Sequence, residues 1–200
     1  MLLATRSEGK LRELRAMFEA AGIGIVDLVG AGIAERPEES DLEHADTFEQ
    51  NALEKARYFH RLSGMPAVAD DSGIEVTALG GAPGVRSKRW SDREGLQGQA
   101  LDDANNALLL ERLVGRADRS ARYVCVAAYC DGATEMVERG EAAGVILCEP
   151  RGTGGFGYDP YFESSELGQT FAEVSRDAKS RVSHRGRAFA SLLRRLHERG

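Results

Sequence analysis

The chain has 200 residues, 42% of them hydrophobic and 29% charged, which describes an ordinary globular protein of one domain or one compact two-lobed unit. Folding at this length buries about 70% of the unfolded surface, so a core forms without staples. The net charge of −6 excludes a nucleic-acid coat or a membrane-surface binder, whose footprints are basic, but not a cation-lined cleft for a phosphorylated small molecule. No apolar run approaches the roughly 18 residues that span a bilayer, and the start, MLLATRSEGK, turns polar at once, the reverse of a secretory signal. Cys125, Cys130 and Cys148 form no CxxC pair and read as reduced core thiols, so the expected compartment is the cytoplasm. Glycine is the outlier, 23 of 200 against about 7% on average, and such a surplus needs a reason.

In chain order, residues 1–5 read as a short buried strand. A helix follows, capped by Ser7, with Leu11, Leu14, Met17 and Phe18 on one face. Gly22 ends it, and residues 23–28 supply a second strand. Residues 34–45 are acidic and expected to be a loop. Thr47 and Gln50 make a capping box for a helix carrying Phe48, Ala52, Ala56 and Phe59 inward. Residues 67–69 form a strand that ends in Asp70-Asp71-Ser72-Gly73, and extended chain resumes over 74–78. Residues 80–84 are irregular, 101–114 a helix, and 121–130 with 134–148 an antiparallel pair turning at Asp131-Gly132. Residues 152–158 are a glycine-rich loop. A last helix starts near Ser183 and buries Phe189, Leu192, Leu193 and Leu196. Strands alternating with helices, then a long hairpin, predict an α/β fold with a mixed sheet.

Five segments carry chemistry. The strand–turn–helix at Thr5-Arg6-Ser7-Glu8-Gly9-Lys10 suits an anion, because free first-turn amides and the helix dipole attract negative charge. It is not a Walker loop, since GxxxxGK[ST] is absent. The adjacent acids Asp70 and Asp71 repel each other unless a cation or water intervenes, and a hard divalent ion takes such oxygens together with phosphates and waters. Glu43 offers a second carboxylate, and the plain alternative is a solvated Asp-Ser-Gly turn. Asn51 and Lys55 share a helix face with Phe48 and Phe59; Lys55 either snorkels or points at the carboxylates. In Gly152-Thr153-Gly154-Gly155-Phe156-Gly157-Tyr158-Asp159 the glycines bare backbone amides, and an aromatic ring offers a face to a nucleobase. Finally, Lys179 and Ser183-His184-Arg185-Gly186 place donors at a helix start, able to bond a base carbonyl.

Taken in order, Thr5-x-Ser7-x-x-Lys10, Thr47-Phe48-Glu49-Gln50-Asn51 with Lys55, Ala69 to Gly73, Leu79 to Gly84, Gly152 to Asp159 and Lys179-x-x-x-Ser183-His184-Arg185-Gly186 closely resemble the inosine triphosphate pyrophosphatase family, over essentially the whole chain. The resemblance implies one domain over 1–200: an elongated two-lobed α/β fold around a long mixed sheet with flanking helices and a cleft between the lobes. It implies a homodimer that hydrolyses non-standard purine nucleoside triphosphates (dITP, ITP and XTP) to the monophosphate and pyrophosphate with Mg²⁺. By matched position Asp71 is the catalytic acid and a metal ligand, with Glu43 the second ligand and Glu39 or Asp41 as alternatives. The resemblance further implies that Ser72 contacts substrate, that Thr5, Arg6, Ser7, Glu8, Gly9, Lys10 and Lys55 grip phosphate, and that Phe156, Gly157, Tyr158, Asp159, Lys179, His184 and Arg185 serve the base and sugar end.

Two departures stand out. The family's Thr-Gly-Asn is Thr5-Arg6-Ser7 here, and its Glu-Thr-Gly is Glu43-His44-Ala45 followed by Asp46. The expected mechanism has Asp71, or Asp70 beside it, deprotonating the attacking water. The rival readings are a nucleotide-binding regulator without hydrolysis, and a pyrophosphatase for modified pyrimidine or ordinary triphosphates.

Overall fold

The computed structural model describes residues 1–199. The elements run β1 (Leu2–Leu3), α1 (Glu8–Ala20), β2 (Val26–Asp27), a 3₁₀ helix (Pro37–Glu43), α2 (Phe48–Ser63), β3 (Ala67–Val76), short 3₁₀ helices at Thr77–Leu79 and Gly84–Arg89, then α3 (Gly98–Arg112). β4 (Ser120–Cys130), β5 (Glu135–Ile146), β6 (Phe162–Ser164), α4 (Arg176–Val182) and α5 (His184–His197) complete the chain. The fold is α/β with a mixed six-stranded sheet in the order β2-β1-β3-β4-β5-β6. β1 lies parallel to both β2 and β3, with Leu2 opposite Val26 and Ala67. β6 pairs antiparallel with β5. β4 and β5 are neighbours joined by residues 131–134 alone, a link too short for any but an antiparallel pair.

Contacts divide the chain into two compact units. One comprises Met1–Asp71, Cys125–Gly140 and His184–Gly200, the other Ser72–Val124 and Glu141–Ser183. In the first, Leu14 and Phe18 of α1 meet Phe189 and Leu192 of α5 over Leu3, Val68, Cys125 and Ala127. The apolar periodicity of both helices predicts those contacts, and Leu11, Met17, Leu193 and Leu196 border the cluster. α2 likewise buries Phe48, Ala52, Ala56 and Phe59, and Thr47 caps it by accepting from the Gln50 N–H. In the second unit, Ile74, Val76, Leu109, Leu113, Tyr123, Phe162 and Phe171 form the core. No helix among the described residues is long and apolar enough to cross a membrane.

The structure corrects four expectations. β3 does not stop at Ala69: it runs unbroken through Asp70-Asp71-Ser72-Gly73 to Val76. Asp, Ser and Gly are poor strand formers, but partners described below bond one oxygen of each buried acid. The acidic stretch holds a 3₁₀ helix over Pro37–Glu43, started by Pro37, and at its start the Arg36 N–H donates to Glu39 Oε1 at 3.1 Å. Cys148 is exposed, because β5 ends at Ile146; Cys125 and Cys130 are buried, and all three are free. β2 is only Val26–Asp27, while β6 and α4 add elements the pattern does not announce.

Candidate active site

In the first unit the geometry starts at the β1–α1 turn. Ser7 caps α1 through its hydroxyl, which accepts from the Lys10 N–H at 3.4 Å, and the Ser7 N–H donates to Thr5 Oγ1 at 3.2 Å. The cap sets the first turn and with it Lys10, whose Nζ lies 3.0 Å from Asp70 Oδ2. Gly9 sits within that turn. Arg6 turns elsewhere. Its guanidinium forks onto Glu39 at 2.9 and 2.7 Å and donates a third bond to the Ile33 carbonyl at 2.9 Å. Glu8 is exposed and pairs with Arg12 one turn on.

Strand alternation puts Asp70 on the face with Val68, toward α1 and α5, and Asp71 on the opposite face, toward α2. Asp70 Oδ2 meets Lys10, the Arg185 Nε at 3.3 Å and Nη2 at 3.4 Å, and the Cys125 thiol at 3.7 Å. Burial alone would raise the Asp70 pKa, but Lys10, Arg185 and Lys55 outweigh it and hold the carboxyl far below the usual range. Its other oxygen, Oδ1, is buried with no hydrogen-bond partner among the described residues. Asp71 is treated differently. Asn51 Nδ2 donates to Asp71 Oδ2 at 2.9 Å, and burial, reinforced by the nearby Glu43, pushes this carboxyl up despite Lys55 and Lys10. Two acids adjacent in sequence therefore have opposite strengths.

Lys55 does not snorkel. It is buried, its Nζ donates to the Asp70 carbonyl at 2.8 Å and to Glu43, and the attraction of Glu43, Asp70 and Asp71 overcomes desolvation to keep it charged. Among the upstream acids, Glu43 thus reaches the site through Lys55, Glu39 is engaged by Arg6, and Asp41 is exposed. No cluster of three or more metal-ligating side chains occurs among the described residues. Glu43 is near enough to raise the Asp71 pKa, and these two carboxylates could hold a divalent cation that fills its shell with water and phosphate. His184 and Arg185 open α5, both buried; Arg185 Nη1 donates to Glu13 at 2.6 Å, so its guanidinium spans Glu13 and Asp70. Those acids keep it protonated against burial.

In the second unit, Ser72 is half-buried on β3. The glycine loop wraps Asp159. Asp159 Oδ2 accepts from the Phe156 N–H at 2.9 Å and from Lys179 Nζ at 2.6 Å, while Tyr123 donates to Oδ1 at 3.3 Å. A Cβ on Gly155 (φ +72°) would stand 2.1 Å from Asp159 Oδ2, so only glycine lets the loop close this tightly. Lys179, on α4, lies 5.1 Å from the Phe156 ring centre and 5.4 Å from that of Phe171. Tyr158 is buried, donates to the Ser87 carbonyl at 2.7 Å, and burial pushes its phenol up.

The structure thus brings Lys10, Glu43, Lys55, Asp71, His184 and Arg185 into one unit, and Phe156, Gly157, Tyr158, Asp159 and Lys179 into the other. Sequence reasoning underweighted Asn51, which also accepts from the Ala45 N–H at 2.9 Å, and missed Glu13 as the partner of Arg185. A polar residue on an apolar helix face was the available signal for Asn51.

The model of the Ham1 family matches residues 1–195. A dITP/XTP pyrophosphatase of Ralstonia nicotianae is 46% identical over 199 residues, 98% of this chain and 96% of that protein. One from Burkholderia pseudomallei is 47% identical over 201 residues, 99% of this chain and 93% of that protein. Among solved structures, a HAM1 protein from Coxiella burnetii superposes with a TM-score of 0.84 at 33% identity, covering 98% of each chain. The Staphylococcus aureus Ham1 protein gives 0.83 at 30% identity, covering 100% of this chain and 98% of that one.

Proposed function

This chain belongs to the Ham1 family, and from that premise we propose how it works as a hydrolase of non-standard purine nucleoside triphosphates, dITP and XTP foremost. The products in this reading are the nucleoside monophosphate and pyrophosphate. The observation that carries the chemistry is the contrast of Asp70 and Asp71. Asp70 is held by cations through Oδ2 and is too weak a base to accept a proton at neutral pH. Asp71 is held by a neutral amide and, before any cation binds, burial raises its pKa, so it is the stronger base of the two. Asp71 takes the proton of the attacking water, and Asn51 holds the carboxylate in place while it does so.

Glu43 and Asp71 would hold Mg²⁺, which when bound neutralises phosphate charge. Lys10 and the first-turn amides of α1 receive the negative charge of the departing pyrophosphate, and Lys55, kept protonated, holds Glu43 in place. Phe156 offers its ring to the base, and Lys179, which stands over that ring, is the candidate donor to a purine 6-carbonyl. Adenine has an amino group there and leaves such donors unpaired, a mismatch that discriminates by about 10⁴–10⁵ in sites built this way.

The reading extends to a cytoplasmic homodimer. The three free thiols support a reducing compartment, and the family likeness supports the dimer. The deciding assay is pyrophosphate release from ITP, dITP, XTP, GTP, ATP and dUTP side by side, with Mg²⁺ and with EDTA. The expected result is release from the first three alone, lost with EDTA. Equal turnover of ATP would overturn the substrate reading, and turnover in EDTA the metal.

A further inference from the structure

α3 buries three polar residues, Asp102 partly and Asn105 and Asn106 almost fully, on the side where Leu109 and Leu113 continue as core. Buried polar groups destabilise unless they are partnered, so each needs a reason. Asn105 has a local one: it accepts from the Ser91 N–H at 2.8 Å and donates to the Lys88 carbonyl at 3.0 Å. Asp102 and Asn106 stand one turn apart and reach the same residue in the glycine loop. Asp102 Oδ2 accepts from the Gly157 N–H at 2.8 Å, and Asn106 Nδ2 donates to the Gly157 carbonyl at 3.0 Å. Asn106 Oδ1 has no partner among the described residues, so the amide is there for its donor.

With Asp159 holding the Phe156 N–H, three backbone groups of two adjacent residues are fixed by side chains. Gly157 itself has φ +64° with open space around its missing Cβ, so the backbone path, not crowding, demands glycine. A segment with four glycines in six residues would otherwise sample many conformations and have to lose that freedom on binding.

We infer that Asp102 and Asn106 are positioning residues that clamp Gly157 and thereby present the Phe156 ring, preorganised, to the nucleobase. The inference rests on the reading of Phe156 as the base platform. The clamp acts on the base end only, so it should govern affinity for the nucleoside and leave the phosphate grip alone.

The test compares Asp102→Ala and Asn106→Leu with the conservative Asp102→Asn, which keeps an acceptor for the Gly157 N–H. Four quantities are read: KM and kcat for ITP, inhibition by inorganic tripolyphosphate, inosine monophosphate binding, and amide exchange over residues 152–159. Loss of one such bond corresponds to about tenfold. In Asp102→Ala and Asn106→Leu the KM for ITP and the dissociation constant of inosine monophosphate should rise about tenfold. Their kcat and tripolyphosphate inhibition should hold, and exchange at Gly157 should quicken. Asp102→Asn should stay near the parent protein. Unchanged KM despite faster exchange would overturn the inference, as would a parallel loss of kcat and tripolyphosphate binding, which marks a merely structural role. Should the parent protein fail to hydrolyse ITP, the functional reading falls by itself; exchange and monophosphate binding still decide the clamp.

Discussion

The acidic strand of the first unit and the glycine loop of the second are held by opposite means. Around β3 the working groups are charged side chains on regular elements, and other charges hold them: Lys10 and Arg185 on Asp70, Glu13 on Arg185, Glu43 on Lys55. Around Gly157 the object held is backbone, and the holders are a helix carboxylate and amide together with Asp159. Buried charges are strong when paired and costly when orphaned, so the strand site should fail abruptly. Backbone clamps add up in modest steps, so the loop should fail gradually and at the base end alone.

The largest test of this contrast is Asp71→Asn. Turnover should fall by about 10²–10⁴ while thermal unfolding is unchanged, since Asn can still bond Asn51. Near-parental turnover would move the base elsewhere. Arg185→Leu probes the same region through stability. It strips Asp70 and Glu13 of their shared cation and should cost about 3–5 kcal/mol in urea unfolding, far more than a surface ion pair. A loss within 1 kcal/mol would erase the proposed difference in kind between the two regions.

On the loop side, Gly155→Ala forces a Cβ onto Asp159 Oδ2 and should cost about 1–3 kcal/mol. Steady-state kinetics should show the KM for ITP raised and tripolyphosphate inhibition retained, the mark of damage confined to the base end. The smallest effect is expected from Arg6→Gly, which restores the residue common in the resembled family. It removes a half-exposed fork to Glu39 and should cost about 1 kcal/mol or less. Hydrogen exchange over Pro37–Glu43 should nevertheless quicken, because that fork ties the 3₁₀ helix carrying Glu43 to the β1–α1 turn.

Much of the first unit could be read from the chain itself. The apolar spacing in α1, α2 and α5, the Ser7 and Thr47 caps and the motif order are local properties, and the structure keeps them. The sequence misled where local preference and long-range partners disagree. Asp-Asp-Ser-Gly reads as a turn because none of these residues favours a strand. Yet Lys10 and Arg185 bond Asp70 Oδ2, Asn51 bonds Asp71, and Lys55 takes the Asp70 carbonyl, partners from three helices that let β3 continue. The Arg6 fork onto Glu39, 33 residues away, is likewise a partner that no local pattern announces.

The sequence by itself determined the class of the fold, the identity of the acids and cations, and the likeness to a nucleotide-hydrolysing family, because these depend on residue type and short-range spacing. Only the tertiary structure decided which of two neighbouring aspartates is spent on ion pairs and which is left basic. That choice follows from strand alternation, which sends one carboxyl toward α1 and α5 and the other toward α2: cations outweigh burial at Asp70, and burial outweighs them at Asp71.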